Sequence, residues 1–248
     1  MKSIGIVSAL AAEARTLGPA APRGAGLRQL ADGALLAVSG IGENAAAAAA
    51  RRLVLAGATA LASFGMAGGL DPTLICGAVV LPEEVSAWDG IGLEAAVSAT
   101  SMQWRQRLRA ALPASCIAVG GKLLTSPRPL GRAVKADAWR ISRAAAVDME
   151  SAAVARVASQ AGLPFIAVRV IVDTASDELP PAVIAASGGG QLRIGGLLAG
   201  LLRAPGDVGA LVRLSARYRI ASRVLSAVAR PESASRRALL GGPAAQAS

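Results

Sequence analysis

The sequence contains no histidine, and that absence removes a large part of enzyme chemistry. Serine triads, cysteine–histidine dyads and histidine-bearing zinc sites all need an imidazole. Acid and base work near neutral pH is therefore left to carboxylates, lysine, tyrosine or cysteine. Tyrosine occurs once, as Tyr218, and cysteine twice, as Cys76 and Cys116, in 248 residues. Two cysteines are too few for a disulfide framework in a chain of this size, so they read as packing residues in a reducing cytoplasm. Aromatic residues make up only 2% of the chain. With Tyr218 the one aromatic residue among the arginines of the tail, too little is there to stack on bases, and nucleic acid is not an expected partner. No apolar run approaches the roughly 18 residues that a membrane span requires. The run Ile4–Ala12 after Lys2 has the apolar character of a secretory signal but no small-residue cleavage region, and Glu13 and Arg15 follow it directly. It reads as a first buried strand.

Apolar side chains, at 53%, are what the sequence does have, with a mean hydropathy of +0.49. That content can bury a substantial core in one α/β domain. Short runs rich in Val, Ile, Leu and Ala predict strands over Ile4–Leu10, Ala34–Ser39, Leu61–Phe64, Ala78–Leu81, Ile117–Gly120 and Phe165–Val172. Helices are predicted over Asn44–Ala56, Ser101–Ala111 and Ser151–Ala161, with Gly57 and Gly162 in C-terminal cap positions. Strands apolar throughout imply a sheet covered on both faces, hence an α/β sandwich with a largely parallel sheet.

Two parts are expected: a catalytic domain over residues 1–200 and a basic amphipathic helical tail over 201–248. The GGG at 188–190 reads as a flexible joint, and beyond Leu201 eight arginines stand against only Asp207 and Glu232. Leu211, Leu214, Tyr218, Leu225 and Val228 fall on one helical face, while Arg213, Arg217, Arg219 and Arg223 occupy much of the rest. Such a helix either packs on the domain or meets anionic lipid.

Carboxylates are the first candidates for chemistry, and AVDMESAAVARVA, Ala146–Ala158, sets Asp148 and Glu150 in an apolar run. Buried carboxylates need partners; one reading makes Asp148 the cap of a helix starting near Glu150, another makes the pair a binding site. SGIGENA, Ser39–Ala45, fits the dinucleotide pattern G-x-G-x-x-A but lacks an acid about 20 residues later to hold a ribose, which argues against a nicotinamide or flavin cofactor. FGMAGGLD, Phe64–Asp71, follows a predicted strand where open sheets bind ligands, and no GK[ST] follows it as in a nucleotide-triphosphate loop. A non-catalytic membrane adaptor built on the basic tail is a further alternative.

Four stretches together, IGIVSALAAEA, SGIGENAAAAAA, FGMAGGLDPTLICGAVVLPEEV and AVDMESAAVARVASQAGLPFIAVRVIVDTASD, resemble the nucleoside phosphorylase and methylthioadenosine/S-adenosylhomocysteine nucleosidase family over residues 1–178. The resemblance implies a three-layer α/β/α sandwich around a mixed, largely parallel sheet, assembled as a homo-oligomer. It implies cleavage of the glycosidic bond of a 5′-substituted adenosine without a cofactor, with phosphate a possible co-substrate. Glu150 is then expected to accept the ribose hydroxyls, since two carboxylate oxygens take both O–H groups of a diol, and Met149 to pack on the sugar. Asp173 matches the general acid at adenine N7, its alternative reading being a cap for a helix over Thr174–Glu178. Glu13 matches the residue that activates water beside an oxocarbenium-like transition state. Met66, Ala67 and Gly68 are expected to line the site. Met66 stands where relatives carry serine, which favours water over phosphate, although the backbone N–H groups of Gly65 to Gly68 remain phosphate donors by type. No aromatic residue occupies GGKLLTSP, so Leu124 is expected to touch the base. DMES, the DELPPA segment and the basic tail resemble the hopanoid-associated branch, whose implied substrate is adenosylhopane. The apolar LPPAVIAA, Leu179–Ala186, would suit either a mouth open to hydrocarbon or a loop buried under the arginine-rich tail.

Overall fold

A computed structural model describes residues 3–22, 24, 26–89, 96–178 and 208–243. In chain order its first half holds β1 (Ser3–Ser8), α1 (Ala11–Thr16), β2 (Ala20–Pro22), β3 (Leu27–Leu30), β4 (Leu35–Val38), α2 (Glu43–Leu55), β5 (Ala58–Gly69), β6 (Val79–Val80), β7 (Glu84–Ala87) and β8 (Ser98–Ala99). There follow α3 (Met102–Ala111), β9 (Ala118–Val119), β10 (Lys122–Thr125), α4 (Arg132–Ser142), β11 (Ala146–Asp148), α5 (Ser151–Gln160), β12 (Phe165–Asp173), α6 (Val208–Val228) and α7 (Ala234–Leu240). The apolar Leu179–Ala186, most of the DELPPA segment and the GGG at 188–190 lie outside the described residues.

The strands form one mixed sheet that branches at β5. Its main path runs β2-β3-β4-β1-β5-β11-β10-β7-β8, and β12 pairs with β5 off that path and continues through β6 to β9. Pairing is parallel along β4, β1, β5 and β12 and antiparallel where β11 meets β5.

Alternation along the central strands shows why helices cover both faces. On β12, Phe165, Ala167 and Ile171 face one core, while Ile166, Val168 and Val170 face the other. Strands β1 and β5 divide in the same way, with Val7 and Leu61 on the first side and Ile6 and Phe64 on the second. The first core holds α2 and α5, whose alanines (Ala46, Ala49 and Ala50 against Ala152, Ala155 and Ala158) permit close approach. The second holds Trp104 and Leu108 of α3 with Ala221, Leu225 and Val228 of α6 and Leu239 of α7. Side chains of this size contribute about 1.5–3 kcal/mol each when fully buried, so the apolar face of the C-terminal helix is part of the fold. Trp104 Nε1 donates to Ala238 O and Leu239 O at 3.0 Å each, and Arg236 donates to Asp32 and to Leu17 O.

Every predicted strand and helix is present, with shifted ends. The largest difference is β5, which runs to Gly69 instead of stopping at Phe64. Its glycine-rich half stays extended because β12 and β11 pair with it there. Short strands β2, β3, β7, β8, β10 and β11 and helices α1 and α4 have too few residues or too mixed a pattern to be read from the sequence.

Candidate active site

A cavity of about 740 Å³ opens at the C-terminal ends of β1, β5, β11 and β12. Its floor and walls come from Ala9, Leu10 and Glu13, from Met66, Ala67 and Gly68, from Val147 to Glu150, and from Val172 and Asp173. Pro129, Leu130 and Lys135 close one side, and Leu214, Ser215, Tyr218 and Arg219 of α6 close another. Glu13, Met66, Ala67, Gly68, Met149, Glu150 and Asp173 thus meet in one place. Leu124 does not: it is fully buried with Leu70, Trp88 and Leu130 beneath the cavity. As a mid-strand residue of β10 it pairs beside Val147, and it is Val147 and Leu130 that present apolar surface to the cavity.

Glu13 sits in the first turn of α1 and is 4% exposed. Its Oε1 accepts the Met66 N–H at 2.8 Å and its Oε2 the Leu10 N–H at 3.0 Å. Burial raises its proton affinity above the ordinary carboxylate value, opposed by the charge of Arg169 and by these N–H bonds. Gly65 makes the approach of strand and carboxylate possible, because a Cβ there would stand 2.7 Å from Glu13 Oε1.

Glu150 is the N-cap residue of α5, and its Oε1 accepts the Gly42 N–H at 2.9 Å. Gly42 has φ +100°, a left-handed backbone that suits glycine. The SGIGENA turn therefore serves the carboxylate across the cavity, and Ile41 of the same turn lines the wall. Burial, with Asp148 adding negative charge, pushes Glu150 up to about 7 against the opposing pull of Arg169 and the Gly42 N–H bond.

Of its two readings, Asp148 shows in its bonds the one at the start of α5, together with buried partners that the sequence did not indicate. It accepts N–H bonds of 3.3 Å from Glu150 and Ser151 at the start of α5, but its closest partners are Thr125 Oγ1 at 2.7 Å and Arg169 Nε at 2.8 Å. Arg169, on β12 and 3% exposed, also donates to Ser63 Oγ at 2.6 Å and Ser151 Oγ at 3.0 Å. It is the buried cation behind Glu13, Asp148 and Glu150, and sequence reasoning passed over it. The available signal was a lone arginine in the apolar run FIAVRVIV.

Asp173 ends β12 and forms a buried ion pair with Lys135 of α4, whose Nζ also donates to Thr174 O at 2.9 Å. It does not cap a following helix: residues 174–178 form a turn, and the Thr174 N–H is taken by Asp177 Oδ2 at 2.7 Å. Asp177 in turn pairs with Arg217, which anchors α6 to the turn after Asp173. Of the four arginines expected around the outer surface of α6, Arg213, Arg219 and Arg223 are exposed. Tyr218 faces the cavity with its proton affinity raised by burial and by the charge of Glu13. Among the described residues no cluster of three metal-ligating side chains occurs, and no helix is long and apolar enough to cross a membrane.

Three buried carboxylates around an apolar cavity, each held by backbone N–H groups or a buried cation, can bind a diol, take a proton from water and serve a leaving base. Solved structures share the fold that carries this cavity. One is a 5′-methylthioadenosine/S-adenosylhomocysteine nucleosidase from Neisseria meningitidis in complex with methylthio-immucillin-A, with a TM-score of 0.68 and 21% identity over 92% of this chain and 97% of that one. A second, from Colwellia psychrerythraea in complex with adenine, is a nucleosidase of the same description with a TM-score of 0.61 and 27% identity over 70% of this chain and 83% of that one. A third, a futalosine hydrolase mutant of Helicobacter pylori, has a TM-score of 0.61 and 20% identity over 69% of this chain and 89% of that one. No curated protein matches the sequence significantly. A family model described as "Phosphorylase superfamily" matches residues 27–193, more than half of the 248 residues and including Asp148, Glu150, Arg169 and Asp173. With that match over β5, β11 and β12 and more than half of the chain, the chain belongs to the phosphorylase superfamily.

Proposed function

We propose that the protein cleaves the N-glycosidic bond of a 5′-substituted adenosine and releases adenine, with water as the nucleophile. The observation that supports this most strongly is the convergence of Glu13, Glu150 and Asp173 on one cavity in a chain without histidine. Glu150 accepts the ribose hydroxyls while Met149 packs on the sugar. Glu13 takes the proton of the attacking water and faces the developing positive charge at C1′. Asp173 serves N7, because adenine is a poor leaving group until that nitrogen is protonated.

Water is favoured over phosphate because the Met66 N–H, one of the backbone donors on the glycine-rich strand, is already bonded to Glu13. Phosphorolysis is the second reading, supported by the cations Arg128 and Arg219 on the cavity wall. For the 5′ substituent the reading is a lipid-linked adenosine, adenosylhopane of hopanoid biosynthesis. It is supported by the size and apolar character of the cavity and by the exposed arginines of the helix that forms one wall. The enzyme would act as a cytoplasmic homo-oligomer with peripheral contact at the inner membrane face, and it would need no cofactor.

The test is a product assay with adenosine, methylthioadenosine and adenosylhopane, with and without phosphate. Adenine and the matching ribose, still carrying its 5′-substituent where the substrate has one, are expected in phosphate-free buffer, most rapidly from the lipid-linked substrate. No adenine from any of the three would remove the reading, and a strict phosphate requirement would replace water by phosphate. Asp173→Asn is expected to lower turnover about 10²–10⁴-fold with little change in nucleoside binding.

A further inference from the structure

We propose that Lys135 supplies, through Asp173, the proton that adenine takes as it leaves; the inference rests on the function proposed above. Lysine normally keeps its ammonium in water and lays only its stem on the protein. Lys135 does the reverse: it is 1% exposed, on a helix whose neighbours Arg132, Val134, Asp137 and Arg140 face solvent. Its Nζ is turned inward to Asp173 Oδ2 and to Thr174 O at 2.9 Å, and both members of the pair line the cavity.

Stability is a poor reason for this arrangement. Desolvating an ammonium and a carboxylate is costly, and well-packed apolar residues often replace a buried ion pair with no loss. A chemical reason is at hand. A carboxylate bound to an ammonium has no proton of its own to donate, so the proton of the pair resides on Nζ. As the C1′–N9 bond breaks and its electron pair passes to adenine, one proton leaves Nζ, Asp173 carries it, and one arrives at N7. Lys135 is left neutral, Asp173 is again a carboxylate, and adenine departs neutral. Glu13 takes one proton from the attacking water, whose oxygen bonds to C1′. Glu13 returns that proton to solvent, from which Lys135 is recharged. The other charged or titratable groups around the pair and its cavity are Glu13, Cys76, Arg128, Asp148, Glu150, Asp177, Glu178, Arg217, Tyr218 and Arg219. Asp177 bonds the Thr174 N–H and pairs with Arg217, Asp148 bonds Arg169, and Glu13 and Glu150 bond backbone N–H groups, all away from Nζ.

Lys135→Arg separates supplying a proton from merely holding Asp173 in place, since a guanidinium keeps the positive charge and the donors but does not give up its proton in proteins. Adenine release by the variant from a substrate that the wild type cleaves is expected to fall about 10²-fold in kcat, with KM within a few-fold, and Lys135→Met should lose as much. Near-normal kcat in a folded Lys135→Arg protein overturns the proposal, whether or not Lys135→Met is impaired. Should neither variant fold, the kcat of the wild type against pH decides. A fall on the alkaline side is expected, and a flat profile to the alkaline limit of folding overturns the inference. A wild type that releases no adenine under any condition removes the proposed function, and the inference falls with it. Adenine release by the wild type and by Lys135→Arg alike removes the inference alone.

Discussion

Two ionic arrangements stand around the same cavity. In one, Glu13, Asp148 and Glu150 share a single buried cation, Arg169; in the other, Asp173 has Lys135 to itself. The shared cation makes its direct bond to Asp148 and leaves Glu13 and Glu150 to be held by backbone N–H groups. Burial first, and the negative charge of Asp148 after it, push the Glu150 carboxyl up to about 7, and the one positive charge of Arg169 only partly opposes them. The private pair matches one charge with one charge. On the function proposed above, the ratio of buried cations to buried carboxylates would divide the labour: one part to bind and to accept, the other to hold a proton beside the leaving group.

The comparison is broken most severely at Arg169. Arg169→Met strands Asp148 in the interior, and removal of one partner of a buried pair costs about 3–5 kcal/mol, a large fraction of the 5–15 kcal/mol that holds an ordinary domain together. Urea unfolding should show that loss at neutral pH and a smaller one in mild acid, where the stranded carboxylates protonate. A loss below about 1 kcal/mol would mean that the three carboxylates do not depend on this cation.

Glu150→Gln sharpens the same comparison through pH. The carboxyl of Glu150 is pushed up to about 7 from an unfolded value of 4.5, so between these values the folded state binds the extra proton. Its contribution to stability is present at low pH and is lost as pH rises from 4.5 to 7, by about 3 kcal/mol in total. Unfolding at pH 5 and pH 8 should show Glu150→Gln gaining on the wild type across that interval, and equal pH slopes would contradict it. Nucleoside binding should move in the opposite direction. The variant should bind more weakly by about 1.5–3 kcal/mol, the range for hydrogen bonds to a charged group, and wild-type KM should fall as pH rises through 7. The smallest effects belong to the exposed arginines. Changing Arg213, Arg219 and Arg223 to glutamine should weaken association with anionic liposomes by about 1 kcal/mol per residue while leaving stability within about 0.5 kcal/mol; unchanged liposome binding would argue against the membrane contact.

The carboxylates were legible in the sequence because an acid in an apolar run stands out, and Glu13, Glu150 and Asp173 each sit beside a strand end or glycine turn that a short motif can capture. Their cations were not. Lys135 lies among Arg132, Asp137 and Arg140, where helical spacing suggests a solvated face, and its partner is 38 residues away. Arg169 was written in the strand itself, but nothing local says which carboxylate it meets. Leu124 was misplaced for a related reason: an apolar residue near a site can lie on either face of a short strand, and β10, with only four residues, gives too little alternation to decide. The long β5 escaped because its glycines suggest a loop until the pairing on both sides is known.

The cavity draws its walls from Ala9 at one extreme and from Arg219 at the other. A growing polypeptide that has already laid down β1, β5 and β12, and with them Glu13, Glu150 and Asp173, still lacks the wall that α6 supplies. The three carboxylates are therefore synthesised before the helix that completes their pocket, which closes only once α6 and α7 have packed at Asp177 and Trp104.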